Sequence, residues 1–279
     1  MIEATDVDDS AISSFEIEEK LKGIYKEYVV SSFPQEPNVI QPNCDFAILS
    51  TIRYDPDISD VPPVKYEEIT RQNFFLLPEH VKRLRFTFEF FHYLCETVLD
   101  FEITEEDLLK QLIACLKSSD ALILAPHKIR GLFQLDGSVK LEIHNTPIRK
   151  NLLGVLCPKV EDMEKFHFLH NFGRRNDNEN EEEEGKSDNI WDVYTNNESC
   201  LISPFTSFKT TSRDVYNRAR KVLPGLKPGR EEVLLFNTQN HLMEGSISNV
   251  AVKLEEDGKW VTPMLSSGCL CGYEEKLFK

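Results

Sequence analysis

Lys209 and Glu244 are the residues whose types and spacing point most directly to chemistry. Lys209 lies in Ser203-Pro-Phe-Thr-Ser-Phe-Lys209-Thr-Thr-Ser-Arg213-Asp-Val-Tyr216, a stretch that predicts a strand ending at the lysine and running at once into a helix. A lysine held by regular structure on both sides presents an amine to a carbonyl, provided that partial desolvation leaves some of it neutral. Most lysines are solvated surface groups, so this residue alone says little. Glu244 follows in Met243-Glu244-Gly245-Ser-Ile-Ser-Asn249-Val-Ala-Val, after a strand-like run. A carboxylate opposite a lysine suits pyridoxal phosphate, because it keeps the pyridine nitrogen protonated and the ring then accepts electrons.

Together with Thr262-Pro263-Met-Leu265-Ser-Ser-Gly-Cys-Leu-Cys-Gly272, the Lys209 and Glu244 segments resemble the class-IV aminotransferase family of fold-type IV pyridoxal-phosphate enzymes. The likeness runs from about Asp45 to Gly272 and is strongest to the fungal 4-amino-4-deoxychorismate lyases. It implies an α+β, two-domain fold like that of D-amino acid aminotransferase, with the cofactor between the domains. It also implies a Schiff base between pyridoxal 5'-phosphate and Lys209, Glu244 on the pyridine N–H, and Asn249 orienting Glu244 or its neighbouring backbone. His80-Val-Lys-Arg83-Leu84 matches a signature in which the arginine reaches the cofactor phosphate. A guanidinium gives such an anion a forked, charge-assisted contact. Gly272 and Tyr273 fall where relatives bind the phosphate through backbone N–H groups.

The elements that must position these residues can be read in chain order. Residues 1–42 are an N-terminal extension, with apolar positions from Ile12 to Tyr28 at helical spacing. A smaller α+β domain at 43–148 opens on a buried strand, Asp45 to Asp55. The stretch from Asn73 to Leu84 leads into a helix that runs to about Val98, with Leu84, Phe88, Phe91 and Cys95 on its inner face. Thr104 caps a second helix with an acidic first turn. Two strands, His127–Leu135 and Ser138–His144, meet at the turn signal Asp136-Gly137. Residues 149–200 form the interdomain crossing and include an acidic loop at 174–188 whose composition predicts disorder. Residues 201–279 form the cofactor-binding domain. Its sheet is expected to take in the lysine segment, Glu231–Phe236, the run through Glu244, and Val250–Leu254 with its return at Lys259–Pro263.

Composition narrows the partners. The formal charge is −15, with 41% hydrophobic and 28% charged residues, which describes a soluble chain that repels nucleic acid and anionic membranes. A small anionic substrate would need a local cluster of cations. Arg53, at the end of the first strand, and Arg213 are the candidates for its carboxylates. No apolar run approaches the roughly 20 residues that span a bilayer. The acidic start is neither a secretory signal nor a transit peptide, so the expected location is cytoplasmic. The 7 cysteines lack metal-type spacing and read as reduced thiols. No metal is expected.

The resemblance implies an aminodeoxychorismate lyase, which forms 4-aminobenzoate and pyruvate on the way to folate. Branched-chain-type aminotransferases place Asn-Tyr at the fourth and fifth positions after the lysine, where this chain has Arg213-Asp214. An arginine at the fourth position is shared with the lyases. An amino acid aminotransferase and a non-catalytic family member are the alternatives. After Gly272 the sequence reads Tyr273-Glu274-Glu275 and stops at Lys279, where relatives continue into further strands. By that comparison the C-terminal sheet is incomplete. A monomer and a homodimer are both compatible with the sequence.

Overall fold

The computed structural model describes residues 45–95, 97–148, 191–227, 229–255 and 258–270. The expected helix within 1–42, the acidic stretch 174–188, most of the crossing at 149–200, and Gly272 and Tyr273 lie outside these residues.

The first sheet grows from the apolar run after Asp45. β1 (Ile48–Tyr54) pairs antiparallel with β2 (His127–Phe133), and β2 pairs antiparallel with β3 (Val139–Asn145). Ile48, Ser50, Ile52 and Tyr54 are sealed on one face of β1, while Thr51 and Arg53 point to the other. Asp136-Gly137 makes the expected turn: Gly137 takes φ 83°, and Asp136 Oδ1 accepts the Ser138 N–H at 2.9 Å.

α1 (Leu77–Leu94) lies against the Ser50 face of β1. Its buried Val81, Leu84, Phe88 and Phe91 recur every three or four residues, and Pro78 sits in the first turn, where no amide donor is needed. The helix ends short of the expected Val98. Cys95 lies just beyond it, its N–H donating to the Phe91 carbonyl. α2 (Glu105–Ser118) starts at Thr104, whose hydroxyl accepts the Asp107 N–H at 3.0 Å.

In the second sheet β4 (Asp192–Thr195) runs parallel to β5 (Glu231–Phe236), which pairs antiparallel with β6 (Leu242–Gly245). Val233, Leu235 and Met243 form its core with Tyr216 and Ala219. β7 (Val252–Lys253) and β8 (Trp260–Val261) make a separate, exposed two-stranded ribbon and do not extend this sheet as expected.

The lysine segment also departs from the sequence reading. The residues before Lys209 form a one-turn helix, α3 (Pro204–Ser207), and not a strand. Ser203 caps it, Pro204 fixes its first position, and the Thr206 hydroxyl accepts the Ser203 N–H at 3.1 Å. Local capping thus overrides the β character of the flanking residues. The next helix, α4 (Asp214–Ala219), begins only after a turn. Between them the backbone at 209–211 pairs with the start of β1, where Leu49 N–H donates to Lys209 O at 2.7 Å and Thr211 N–H donates to Ala47 O at 2.8 Å. Phe208 stacks on Phe90 with ring centroids 4.4 Å apart, and also touches Phe86 and Phe91.

Phe208→Ala should therefore cost about 3–5 kcal/mol of unfolding free energy in urea titrations. A loss below about 1 kcal/mol would mean that the ring does not hold the lysine segment to α1.

Candidate functional site

Lys209 is half-buried at the junction of β1 and the lysine segment. On one side lies a cluster built by β1 and α1. The Ser50 hydroxyl lies 2.9 Å from His80 Nδ1, and Arg83 Nη2 donates to Ser50 Oγ at 3.0 Å and approaches His80 Nδ1 at 3.1 Å. The three meet because Ser50 is on the inner face of β1, while His80 and Arg83 are three residues apart on one face of α1. Burial, then the charges of Arg83 and Lys209, push the His80 pKa down to about 3. The ring is therefore neutral at physiological pH. Its Nδ1 accepts hydrogen bonds from the cation and the hydroxyl beside it, so the positive charge here belongs to Arg83 and Lys209.

On the other side, β6 carries Glu244, which is 5% exposed. Its Oε1 accepts the Tyr216 O–H at 2.5 Å, and its Oε2 accepts the Leu270 N–H at 3.1 Å. Both donors are neutral. Burial pushes the carboxyl up to about 7, against these two hydrogen bonds and the nearby charges of Arg213 and Lys209. Lys209 thus lies within electrostatic reach of both His80 and Glu244. Arg213 spreads over the Tyr216 ring, 4.5 Å from its centroid, and donates to the Ser246 carbonyl at 2.7 Å.

The turn after Glu244 wraps a second buried carboxylate. Glu232 Oε1 accepts the Ser246 hydroxyl and Oε2 accepts the Ser248 hydroxyl, each at 2.6 Å, and both oxygens accept the Ile247 N–H. Burial raises its pKa, but these donors outweigh burial and hold it below the usual carboxylate value. Gly245 is required here, because a Cβ would fall 2.5 Å from Ser248 Oγ and 2.9 Å from Glu232 Cδ.

Lys209, Arg83, Glu244 and Arg213 are therefore arranged around one region. Two other candidate residues have different surroundings. Arg53 is on the opposite face of β1 from Ser50, as the two-residue strand period requires, and its guanidinium is neutralised by Asp55 at 2.6 Å. It also donates to the Pro147 carbonyl at 3.0 Å, so Asp55 and the backbone hold its guanidinium. Asn249 is exposed, and the side chain that orients Glu244 is Tyr216. Gly272 and Tyr273 lie outside the described residues.

Sequence reasoning passed over Ser50, Tyr216 and Glu232. Ser50 is a lone hydroxyl at an inward position of an apolar strand, and Tyr216 is three residues after Arg213 on one helix face. Both patterns carried a signal. Glu232 carried none, since a glutamate early in a strand reads as solvated.

The donor set fits pyridoxal phosphate. Arg83, held by Ser50 and His80, offers a cation to a phosphate. Glu244 is a buried carboxylate hydrogen-bonded only to neutral groups among the described residues, and a pyridinium N–H would supply a charged donor. Among the described residues no group of three or more His, Cys, Asp or Glu side chains is placed to hold a metal ion, and no helix is long and apolar enough to cross a membrane.

Residues 188–275 match the profile of amino-transferase class IV, so the chain carries a domain of this pyridoxal-phosphate-dependent class. It is 31% identical to the aminodeoxychorismate lyase of Saccharomyces cerevisiae over 235 residues, covering 74% of this chain and 58% of that one. The chain thus spans a little over half the length of this relative. A Mesorhizobium loti protein classed as an amino-acid aminotransferase superposes with a TM-score of 0.50 at 17% identity, over 81% of this chain and 78% of that one. The branched-chain amino acid aminotransferase of Escherichia coli gives 0.48 at 15% identity, over 83% and 62%. The fold is the α+β fold of fold-type IV enzymes.

Glu244 and His80 act on stability with opposite signs. The folded pKa of Glu244 lies above its ordinary 4.5, so the folded chain binds the extra proton and this group's contribution falls as pH rises from 4.5 to about 7. His80 lies below its ordinary 6.5, so its contribution is lost as pH falls from 6.5 to about 3. Glu244→Gln should remove the first effect alone. Its stability relative to the parent should rise by on the order of 3 kcal/mol between pH 4.5 and 7 in urea unfolding. A constant difference across that range would contradict the assignment.

Proposed function

We propose that the chain binds pyridoxal phosphate through Lys209 and acts as an aminodeoxychorismate lyase, releasing pyruvate from 4-amino-4-deoxychorismate to leave 4-aminobenzoate. The observation that carries this reading is the placement of Lys209 between the Arg83 cluster and the buried Glu244. The similarity to the yeast lyase supports the choice of substrate.

Bound here, pyridoxal phosphate supplies an aldehyde that condenses with an amine and a ring that accepts electrons. Arg83 would hold its phosphate, with Ser50 and the neutral His80 fixing the guanidinium in place. Glu244 keeps the pyridine nitrogen protonated. The Lys209 amine would hold the cofactor and, as a free amine, would take the proton from the substrate carbon that bears the amine. Loss of that proton and of the enolpyruvyl group makes the ring aromatic, which drives the reaction forward. Arg213 faces a substrate carboxylate from the Tyr216 side, so a small dianionic substrate finds local cations on a chain of net charge −15.

Incubating the chain with pyridoxal phosphate and 4-amino-4-deoxychorismate should yield pyruvate and 4-aminobenzoate in equal amounts, with Lys209→Ala inactive. Conversion of the cofactor to its pyridoxamine form by an amino acid, without pyruvate release, would make the chain an aminotransferase instead. Arg83→Ala should weaken cofactor binding by about 10- to 100-fold, the range expected for a charge-assisted contact. Unchanged affinity in a fluorescence titration would remove Arg83 from the phosphate site.

A further inference from the structure

The Tyr216 hydroxyl has one proton and two acceptors. It lies 2.5 Å from Glu244 Oε1 and 3.0 Å from the Thr206 carbonyl, and both its own residue and its partners are buried. A phenol donates once, so it cannot serve both at the same time. Thr206 belongs to α3, directly before Lys209, and Glu244 belongs to β6. The hydroxyl therefore joins the element that presents the lysine to the carboxylate opposite it.

We propose that Tyr216 is the positioning residue that keeps Glu244 a carboxylate, by committing its only proton to Oε1. When Glu244 takes up a proton, its own O–H donates to Tyr216 Oη, and the Tyr216 proton turns to the Thr206 carbonyl. No other atom moves, and the proton count balances. The 2.5 Å separation lies in the range of a charge-assisted O–H···O⁻ bond, the contact that the first arrangement makes.

Other charged and titratable groups face the pair from each side. Arg213 lies over the Tyr216 ring from the start of α4, Lys209 acts on Glu244 from the segment after α3, and Cys200 lies near Tyr216. The 265–270 stretch contributes a neutral donor, the Leu270 N–H. The two cations favour the carboxylate. Tyr216 is the side chain that fixes where its charge sits. For the cofactor reading proposed above, on which the functional meaning of this residue rests, the consequence is that Glu244 stays ionised and oriented for a pyridine N–H.

The test needs no cofactor. Infrared difference spectra of the full chain against pH report the protonated carboxyl of Glu244, identified as the band lost in Glu244→Gln. Tyr216→Phe should move its midpoint upward by about one pH unit or more, as expected for loss of one hydrogen bond to a charged group. Should Tyr216→Phe not fold, 3-fluorotyrosine installed at position 216 decides the matter. Its more acidic phenol is a stronger donor and should lower the midpoint. A midpoint that does not respond to the hydroxyl in the folded variant would overturn the proposal. A chain that binds no pyridoxal phosphate would remove the functional reading and leave this result standing. If it does bind, Tyr216→Phe should lose cofactor affinity increasingly as pH falls towards the new midpoint, while the parent holds its affinity.

Discussion

The short backbone pairing between residues 209–211 and the start of β1 is the constraint on which the site depends. Through it, Leu49 and Ala47 fix the position of the lysine backbone, and the bridge between Ile48 and Thr210 sets the register. The same strand carries Ser50 on the face that meets α1, so His80 and Arg83 arrive beside the lysine. Phe208 closes the arrangement by stacking among the phenylalanines of α1. A slip of one residue in this pairing would turn the inward residues of the segment outward and separate the amine from its cluster.

Around that fixed point the protein keeps two kinds of polar group in opposite electrostatic conditions. His80 is denied its proton by burial and by two neighbouring cations, while Glu244 is drawn towards its protonated form by burial alone. Each is left able to accept a hydrogen bond from a group outside the pair. Glu232 shows the contrast: fully gripped by Ser246, Ser248 and a backbone amide, it has a lowered pKa and a structural task, holding the turn that follows Glu244. Two buried glutamates on adjacent strands thus differ in function because their donors differ.

Much of this was legible in the sequence because it is local. The alternation along β1, the stripe of α1, the Thr104 cap and the Asp136-Gly137 turn follow from short-range rules. The chemistry of Lys209 and Glu244 followed from residue type joined to a resemblance. The misreadings have physical reasons. Ser203-Pro204 nucleates a helical turn that hydrophobic pattern alone could not reveal. Arg53 at a strand end has the same appearance whether it is available or paired, and only the fold puts Asp55 against it. Asn249 was linked to Glu244 by the resemblance, whereas Tyr216, 28 residues away, reaches the carboxylate across the sheet core.

The central claim is that one amine, set between a cationic cluster and a buried carboxylate, is the one that holds pyridoxal phosphate. Borohydride reduction of the chain mixed with pyridoxal phosphate, followed by peptide mass spectrometry, tests it most directly. The account predicts a single phosphopyridoxyl label on Lys209 at equimolar cofactor, greatly reduced in Arg83→Ala. Label spread over surface lysines, or the same total label in Lys209→Ala, would contradict it.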